Sequence, residues 1–364
     1  MDQWPYAKRI MHLIGGLRAV NEAGERRLYV LPQAKEGIFE VTLESYSALY
    51  KVVSQLGLTG VGVEFIKHVR EVEGAMPPEW RPWFSDRSWL VWENKQAWAE
   101  ISNSAHQKKQ FKCADIARRI RSEIDTCQHH LLRLSKAYNQ CLAAKINSNE
   151  FRANQPFDDL FSQDIFDFIH SFLSSMGTLR DYLAEYIAEF IIAKVPSKVR
   201  QKKKMAALAD ELKELTHSGK PLREYLLEIT SRELPYGWLA VLNEYRNIII
   251  HQSPITDMHK RRYLWQQTIV VNGATLPIIL FPIPEDPISI SKKRRQKDFY
   301  DSPGNTLWAT FDTEMNPREP DALLYCHQSL GNMMDLAKKV IDLSPCKPEP
   351  IVITPIGEVV LRSS

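Results

Sequence analysis

The chain has 364 residues, 44% of them hydrophobic and 25% charged, with a formal net charge of +3. That length suits a large core built from two or three modules, and the composition is that of a soluble globular protein, not a disordered or fibrous one. So small a net charge excludes a globally basic nucleic-acid binder, so any contact with nucleic acid must come from local patches.

Five cysteines, an odd number without C-x-x-C spacing, argue against a disulfide framework or a zinc site. Met1 to Lys8 lacks a secretion signal, and no apolar stretch is long enough to span a bilayer. The expected compartment is the reducing cytoplasm.

Residues 1–105 read as a mixed α/β region. Arg27–Leu31 and Gly37–Val41 are short and β-prone, and Leu43–Leu56 has helical spacing stopped by Gly57. The glycines at 57, 60 and 62 lack the spacing of a phosphate loop. Met76–Trp98 carries Trp80, Trp83, Trp89, Trp92 and Trp98. Such rings stack on unpaired bases or, more commonly, glue a loop to the body; no helical face collects all five, which favours packing.

Residues 106–255 read as helical. Cys113, Ala117, Ile120, Ile124, Cys127, Leu131, Leu134, Tyr138 and Cys141 step alternately by four and three, the seam of a long helix packed lengthwise. A second long helix follows Asp158-Asp159, lined by Ile165, Phe168, Phe172, Met176, Leu179, Leu183, Tyr186 and Phe190, and stops before Pro196. His170 lies within it, facing either the core or a site. Lys202, Lys203 and Lys204 belong to a basic run that opens a shorter helix. Cations there oppose the helix dipole, so the run is either a solvated connector or a phosphate contact. A fourth helix follows Pro221 and a fifth begins near Pro235, giving an expected fold that is mainly α, an up-and-down bundle with short links.

The fifth helix ends in Arg246-Asn247-Ile248-Ile249-Ile250-His251. Arginine offers a permanent charge and a planar donor fork for phosphate, and histidine exchanges protons near neutral pH. The plain reading is a local arginine cap and a core histidine. On a straight helix, residues five apart are separated by about 140 degrees, so Arg246 and His251 do not share a face, whereas Asn247 and His251 do.

Residues 256–364 read as a β-hairpin, a basic loop, a helix and an extended C-terminal segment packing on the bundle. Arg261 and Arg262 follow the motif. Asn272-Gly273 between apolar runs signals a hairpin whose second strand, carrying Pro277, is an edge. Lys292, Lys293, Arg294 and Arg295 form a second basic run, expected in a proline-rich loop, solvated or on an RNA backbone. Glu319–Leu343 reads as another helix, lined by Leu323, Cys326, Leu330, Met333, Ala337 and Val340.

A helical segment ending in Arg-Asn-x-x-x-His resembles the HEPN superfamily, over roughly residues 108–255. The resemblance implies a metal-independent RNA endonuclease that needs no cofactor, often a toxin or antiviral-defence effector. In it, Arg246, Asn247 and His251 are the catalytic residues. It also implies a homodimer in which both motifs line one cleft, bringing together groups that one helix keeps apart. RNA supplies its own nucleophile, so the expected products end in 2′,3′-cyclic phosphate. The competing reading is a non-catalytic module that binds RNA or a protein. A third is an acceptor modified by a partner nucleotidyltransferase; an antitoxin partner is also implied.

Overall fold

The computed structural model describes residues 7–32, 40–45, 47–67, 78–191, 205, 208, 220–248, 264–294 and 320–349. Among these, six strands form an antiparallel sheet: β1 (Ala7–Leu13), β2 (Arg18–Asn21), β3 (Arg27–Leu31), β4 (Glu40–Thr42), β5 (Gly60–Lys67) and β6 (Glu79–Pro82). The order across the sheet is β4-β3-β2-β1-β5-β6, with β2 and β1 at its centre and the adjacent strands β1 and β5 both interior. Their register pairs Met11 with Val63, both fully buried. Helix α1 (Ala48–Gln55) connects β4 to β5.

The sheet is joined to a helical layer by the turn after β1. Gly16 there has φ of +84°, and a side chain on it would meet the Tyr138 carbonyl oxygen at 2.7 Å. Only glycine combines that backbone angle with so close an approach. The Asn139 amide donates to the Gly16 carbonyl at 2.8 Å and completes the joint.

Helix α2 (Leu90–Gln107) turns at Lys108–Gln110 into α3 (Phe111–Asn147), a 37-residue helix. All nine residues of the stripe from Cys113 to Cys141 are buried, so the four-three spacing marked the true packing face. Helix α4 (Leu160–Tyr186) runs antiparallel to α3: Lys145 pairs with Asp159 at one end and Arg119 with Glu185 at the other. It begins on a capping box, in which the Asp159 carboxylate accepts from the backbone of Phe161 and Ser162. Its last turn continues as a π-turn over Ile187–Ile191.

Two shorter helices follow, α5 (Lys220–Ile229) and α6 (Trp238–Asn247). Met205 and Leu208 are also helical and buried. A second, three-stranded sheet contains β7 (Gln155–Phe157), β8 (Leu264–Val271) and β9 (Ala274–Leu280) in that order. Asn272 and Gly273 both have positive φ, +47° and +79°, the geometry of the tight hairpin turn expected from that dipeptide. Strand β9, with Pro277, is an edge strand as expected.

Helix α7 (Pro287–Arg294) corrects one expectation: Lys292, Lys293 and Arg294 lie at a helix C-terminus rather than in a loop. Asp286 accepts from the Ser289 backbone at its start, and cations at its end complement its dipole. Helix α8 (Ala322–Leu343) begins on Asp321, whose carboxylate accepts from the Leu324 backbone, and packs against α2, α3 and α4.

The expectation of a mainly α, up-and-down bundle is incorrect. The fold is mixed α/β, with eight α-helices and two antiparallel sheets among the described residues. Strands β1 and β5 escaped notice because polar residues are buried in them. Arg9, His12 and Glu64 are all buried, so β1 and β5 lack the alternation by which strands are read. In β5, Gly60 and Gly62 supply no side chain to mark a strand, and both pack against tryptophan rings. One continuous apolar cluster joins Met11 and Val63 of the sheet, Ile120 and Phe172 of the long helices, Ile279 of β9 and Leu330 of α8. No helix among the described residues is long and apolar enough to cross a membrane.

Candidate functional site

Helix α6 starts after Gly237 and buries Leu239, Leu242 and Tyr245 on one side. Its neighbour is α4, and two contacts fix their relation. Arg180 donates to the Asn243 side-chain oxygen at 2.5 Å, and Arg246 lies across Gly177. Moving three residues back along α4 corresponds to three residues forward along α6, so the helices run antiparallel.

The Gly177 contact is close. A methyl group added there would lie 2.6 Å from Arg246 Cδ and 3.3 Å from Cζ, and closer still to Nε. The arginine therefore occupies the space where any other residue would carry its side chain. A glycine inside a helix costs about 1 kcal/mol against alanine, so this seat comes at the expense of α4. Arg246 Nε is buried and has no hydrogen-bond partner among the described residues. Nor does Arg246 form an ion pair there, in contrast to Arg180, whose guanidinium is held by Asp181. A positive charge left unneutralised by carboxylate suits an incoming phosphate.

Asn247 follows, half-buried, at the end of α6. His170 lies seven residues before Gly177 on α4, on the same side of the helix. Its Nε2 is buried without a partner among the described residues, and burial lowers its pKa against the opposing pull of Asp167. His251 lies outside the described residues, as do Lys202, Lys203, Lys204, Arg261, Arg262 and Arg295. The exposed Lys292 has its Nζ 5.8 Å from the Tyr236 ring, while Lys293 and Arg294 share its helix. Of the predicted residues, the structure thus places Arg246 and Asn247 together, with Lys292, Lys293 and Arg294 on a separate helix.

The tryptophans resolve in favour of packing. Trp83 and Trp98 are buried, and Trp80 and Trp89 lie against the core. Trp80 donates to the Gln128 carbonyl at 3.1 Å. Trp92 is exposed, and the Arg81 guanidinium lies 5.4 Å from its ring.

The structure adds a polar group that sequence reading missed. His12 Nε2 lies 2.7 Å from Glu64 Oε1, and His12 Nδ1 lies 3.0 Å from Ser135 Oγ. Lys136 donates to the other Glu64 oxygen at 2.9 Å. Burial drives the His12 pKa down to about 4, despite the hydrogen bond to Glu64 that raises it. For Glu64, the bonds from His12 and Lys136 outweigh burial and bring the pKa to about 2. Neutral His12 therefore donates from Nε2 to an ionised Glu64, and the Ser135 hydroxyl donates to Nδ1.

The residue types are those of a hydrolytic triad, but Ser135, His12 and Glu64 are all buried and no substrate reaches the hydroxyl. The group instead ties β1, β5 and α3 together. No local pattern reveals it, because its members are scattered between positions 12 and 136.

A cleft of about 430 Å³ lies between the α1–β5 turn, the β6–α2 loop and α8, lined by Leu58, Trp83, Phe84, His327 and Asn332 among others. Neither Arg246 nor Asn247 lines it. His327 Nε2 donates to the Trp83 carbonyl at 2.9 Å, and its ring stacks on Phe84. Among the described residues, no three His, Cys, Asp or Glu side chains are grouped to hold a metal ion.

Comparisons with models of known families, with curated proteins and with solved structures gave no match.

Proposed function

We propose that this protein is a metal-independent RNA endonuclease, acting as a homodimer, in which Arg246, Asn247 and His251 carry the chemistry. The observation that supports this reading is the seat of Arg246: the motif's arginine lies on the bare backbone of Gly177, without a carboxylate partner among the described residues. A structural arginine is usually held by a carboxylate or by backbone carbonyls; a phosphate-binding one is kept ready for its ligand. The motif's resemblance to the HEPN superfamily supports the same chemistry.

In the proposed reaction His251 removes the proton from the RNA 2′-hydroxyl, whose oxygen attacks the adjacent phosphorus. The P–O bond to the 5′ oxygen breaks, and that oxygen takes up a proton from a second His251, contributed by the other protomer. Arg246 stabilises the charge that gathers on the phosphorane oxygens, and Asn247 orients the histidine. The products are a 2′,3′-cyclic phosphate and a 5′-hydroxyl. The basic runs Lys202–Lys204, Arg261–Arg262 and Lys292–Arg295 hold the RNA backbone in this account. The biological role we propose is that of a toxin or antiviral-defence effector, restrained by an antitoxin or modified by a nucleotidyltransferase partner.

Expression of the wild type should arrest growth and cleave cellular RNA, while His251→Ala abolishes both and leaves folding and dimer formation unchanged. If His251→Ala is inert but the wild type also cleaves no RNA, and charge reversal at Lys292 weakens RNA retention, the protein is a binding module instead.

A further inference from the structure

Two of the five cysteines are nearly in bonding contact. Cys113 opens α3 and Cys346 lies just beyond the end of α8, 233 residues later, yet their sulfurs are 3.3 Å apart. Both are free thiols. A disulfide needs about 2.05 Å between sulfurs, so closure asks for a shift of little more than an ångström.

The surroundings order this pair. Cys113 donates toward the Cys346 sulfur, and Cys346 donates to Gln110 Oε1 at 2.9 Å. Ser344 fixes the Cys346 backbone: its hydroxyl oxygen accepts from the Cys346 amide at 3.0 Å, and its proton goes to the Cys346 carbonyl. The Tyr186 hydroxyl donates to Ser344 at 2.6 Å and lies 3.6 Å from Cys113. The two thiols are not equivalent. Cys113 is 1% exposed and burial pushes its pKa up to about 12, whereas Cys346 is 8% exposed and borders the exposed Gln110.

We infer that Cys113 and Cys346 are a redox modification site that closes to a disulfide when a peroxide reaches Cys346. The Cys346 sulfur attacks one peroxide oxygen, the O–O bond breaks, and water leaves a sulfenic acid behind. The Cys113 sulfur then attacks the Cys346 sulfur; the S–O bond breaks and a second water departs, carrying the protons of the thiols. In sum two thiols and hydrogen peroxide give one disulfide and two waters. The bond would staple the segment after α8 to the start of α3 and restrict the unfolded chain over a long loop.

This site does not depend on the ribonuclease reading. Full-length protein is treated with hydrogen peroxide, or with dithiothreitol as the reduced control. Free thiols are then alkylated and counted by mass spectrometry, with peptide mapping and a thermal melt. The expected result is a fall from five alkylated cysteines to three, a single Cys113–Cys346 linked peptide, and a higher Tm that dithiothreitol reverses. Cys346→Ser and, separately, Cys346→Ala should abolish both the linked peptide and the Tm rise, while Cys127→Ala retains them. Peroxide that leaves Cys113 fully alkylated, or that links other cysteines, would overturn the inference.

Discussion

At Arg246 the energetic argument rests on one methyl group. Alanine at position 177 would favour α4 by about 1 kcal/mol through helix propensity. It would also force Arg246 aside, and overpacking of that kind costs about 1–3 kcal/mol. Gly177→Ala should therefore be neutral to destabilising in the wild type and stabilising by about 1 kcal/mol in an Arg246→Ala background. Urea denaturation of the four proteins of this cycle measures the difference. The same sign in both backgrounds would mean that Gly177 is not there for Arg246. Reading the chain picks out Arg246, because arginine, asparagine and histidine stand within six residues. It cannot pick out Gly177, whose partner lies on another helix and whose own neighbours form an ordinary helical stripe.

The elements differ in how plainly they can be read, and the reason is the direction in which polar groups face. Helix α3 has its apolar residues on one side throughout, so its packing face is evident from spacing alone. The β8–β9 hairpin is equally plain, since Asn272-Gly273 specifies its turn. Strands β1 and β5 hide their nature because Arg9, His12 and Glu64 are buried and bond to other elements: Arg9 to Asn21 on the adjacent strand β2, and His12 to the distant Glu64 and Ser135.

These inward polar contacts make the element junctions sensitive to acid. An unfolded histidine takes up a proton near 6.5, whereas His12 and His327 in the fold do so only near 4, because burial disfavours the charge. Between those values the unfolded chain binds more protons, so stability falls as pH falls, by up to about 3 kcal/mol for each histidine. Asp321 acts in the opposite sense. Burial raises it to about 6, so the native state protonates first and gains stability as pH drops toward 3.8. His12 and His327, joined in the same sense by His170 and, below 4.5, by Glu64, outweigh Asp321 and Glu123, so the urea midpoint should decline by the equivalent of a few kcal/mol between pH 7 and pH 4. Replacing His327 with Gln should flatten that decline, while a midpoint that rises or stays level would refute the junction account.

In the whole molecule, the sheet and the helices are not separable by stability. Met11 and Leu13 of the first strand belong to the same apolar cluster as the α3 stripe and α8. Gly16 and Asn139 lock the turn after β1 onto the C-terminal half of α3. Removing the sheet would expose a large apolar surface on α3, of the kind that folded monomers rarely leave uncovered. A fragment of residues 106–255 should retain helical far-UV circular dichroism but lose near-UV signal and cooperative melting. A sharp, two-state melt of that fragment would show that the helices form an autonomous unit.

The proposed reaction is tested most directly by the ends of the RNA it would make. Purified wild type should cleave RNA in the presence of EDTA and leave 2′,3′-cyclic phosphate and 5′-hydroxyl ends, and Arg246→Ala should lower the rate by about two to three orders of magnitude, as expected for a group that stabilises transition-state charge. Cleavage by Arg246→Ala at the wild-type rate, or 3′-hydroxyl ends from the wild type, would contradict the account.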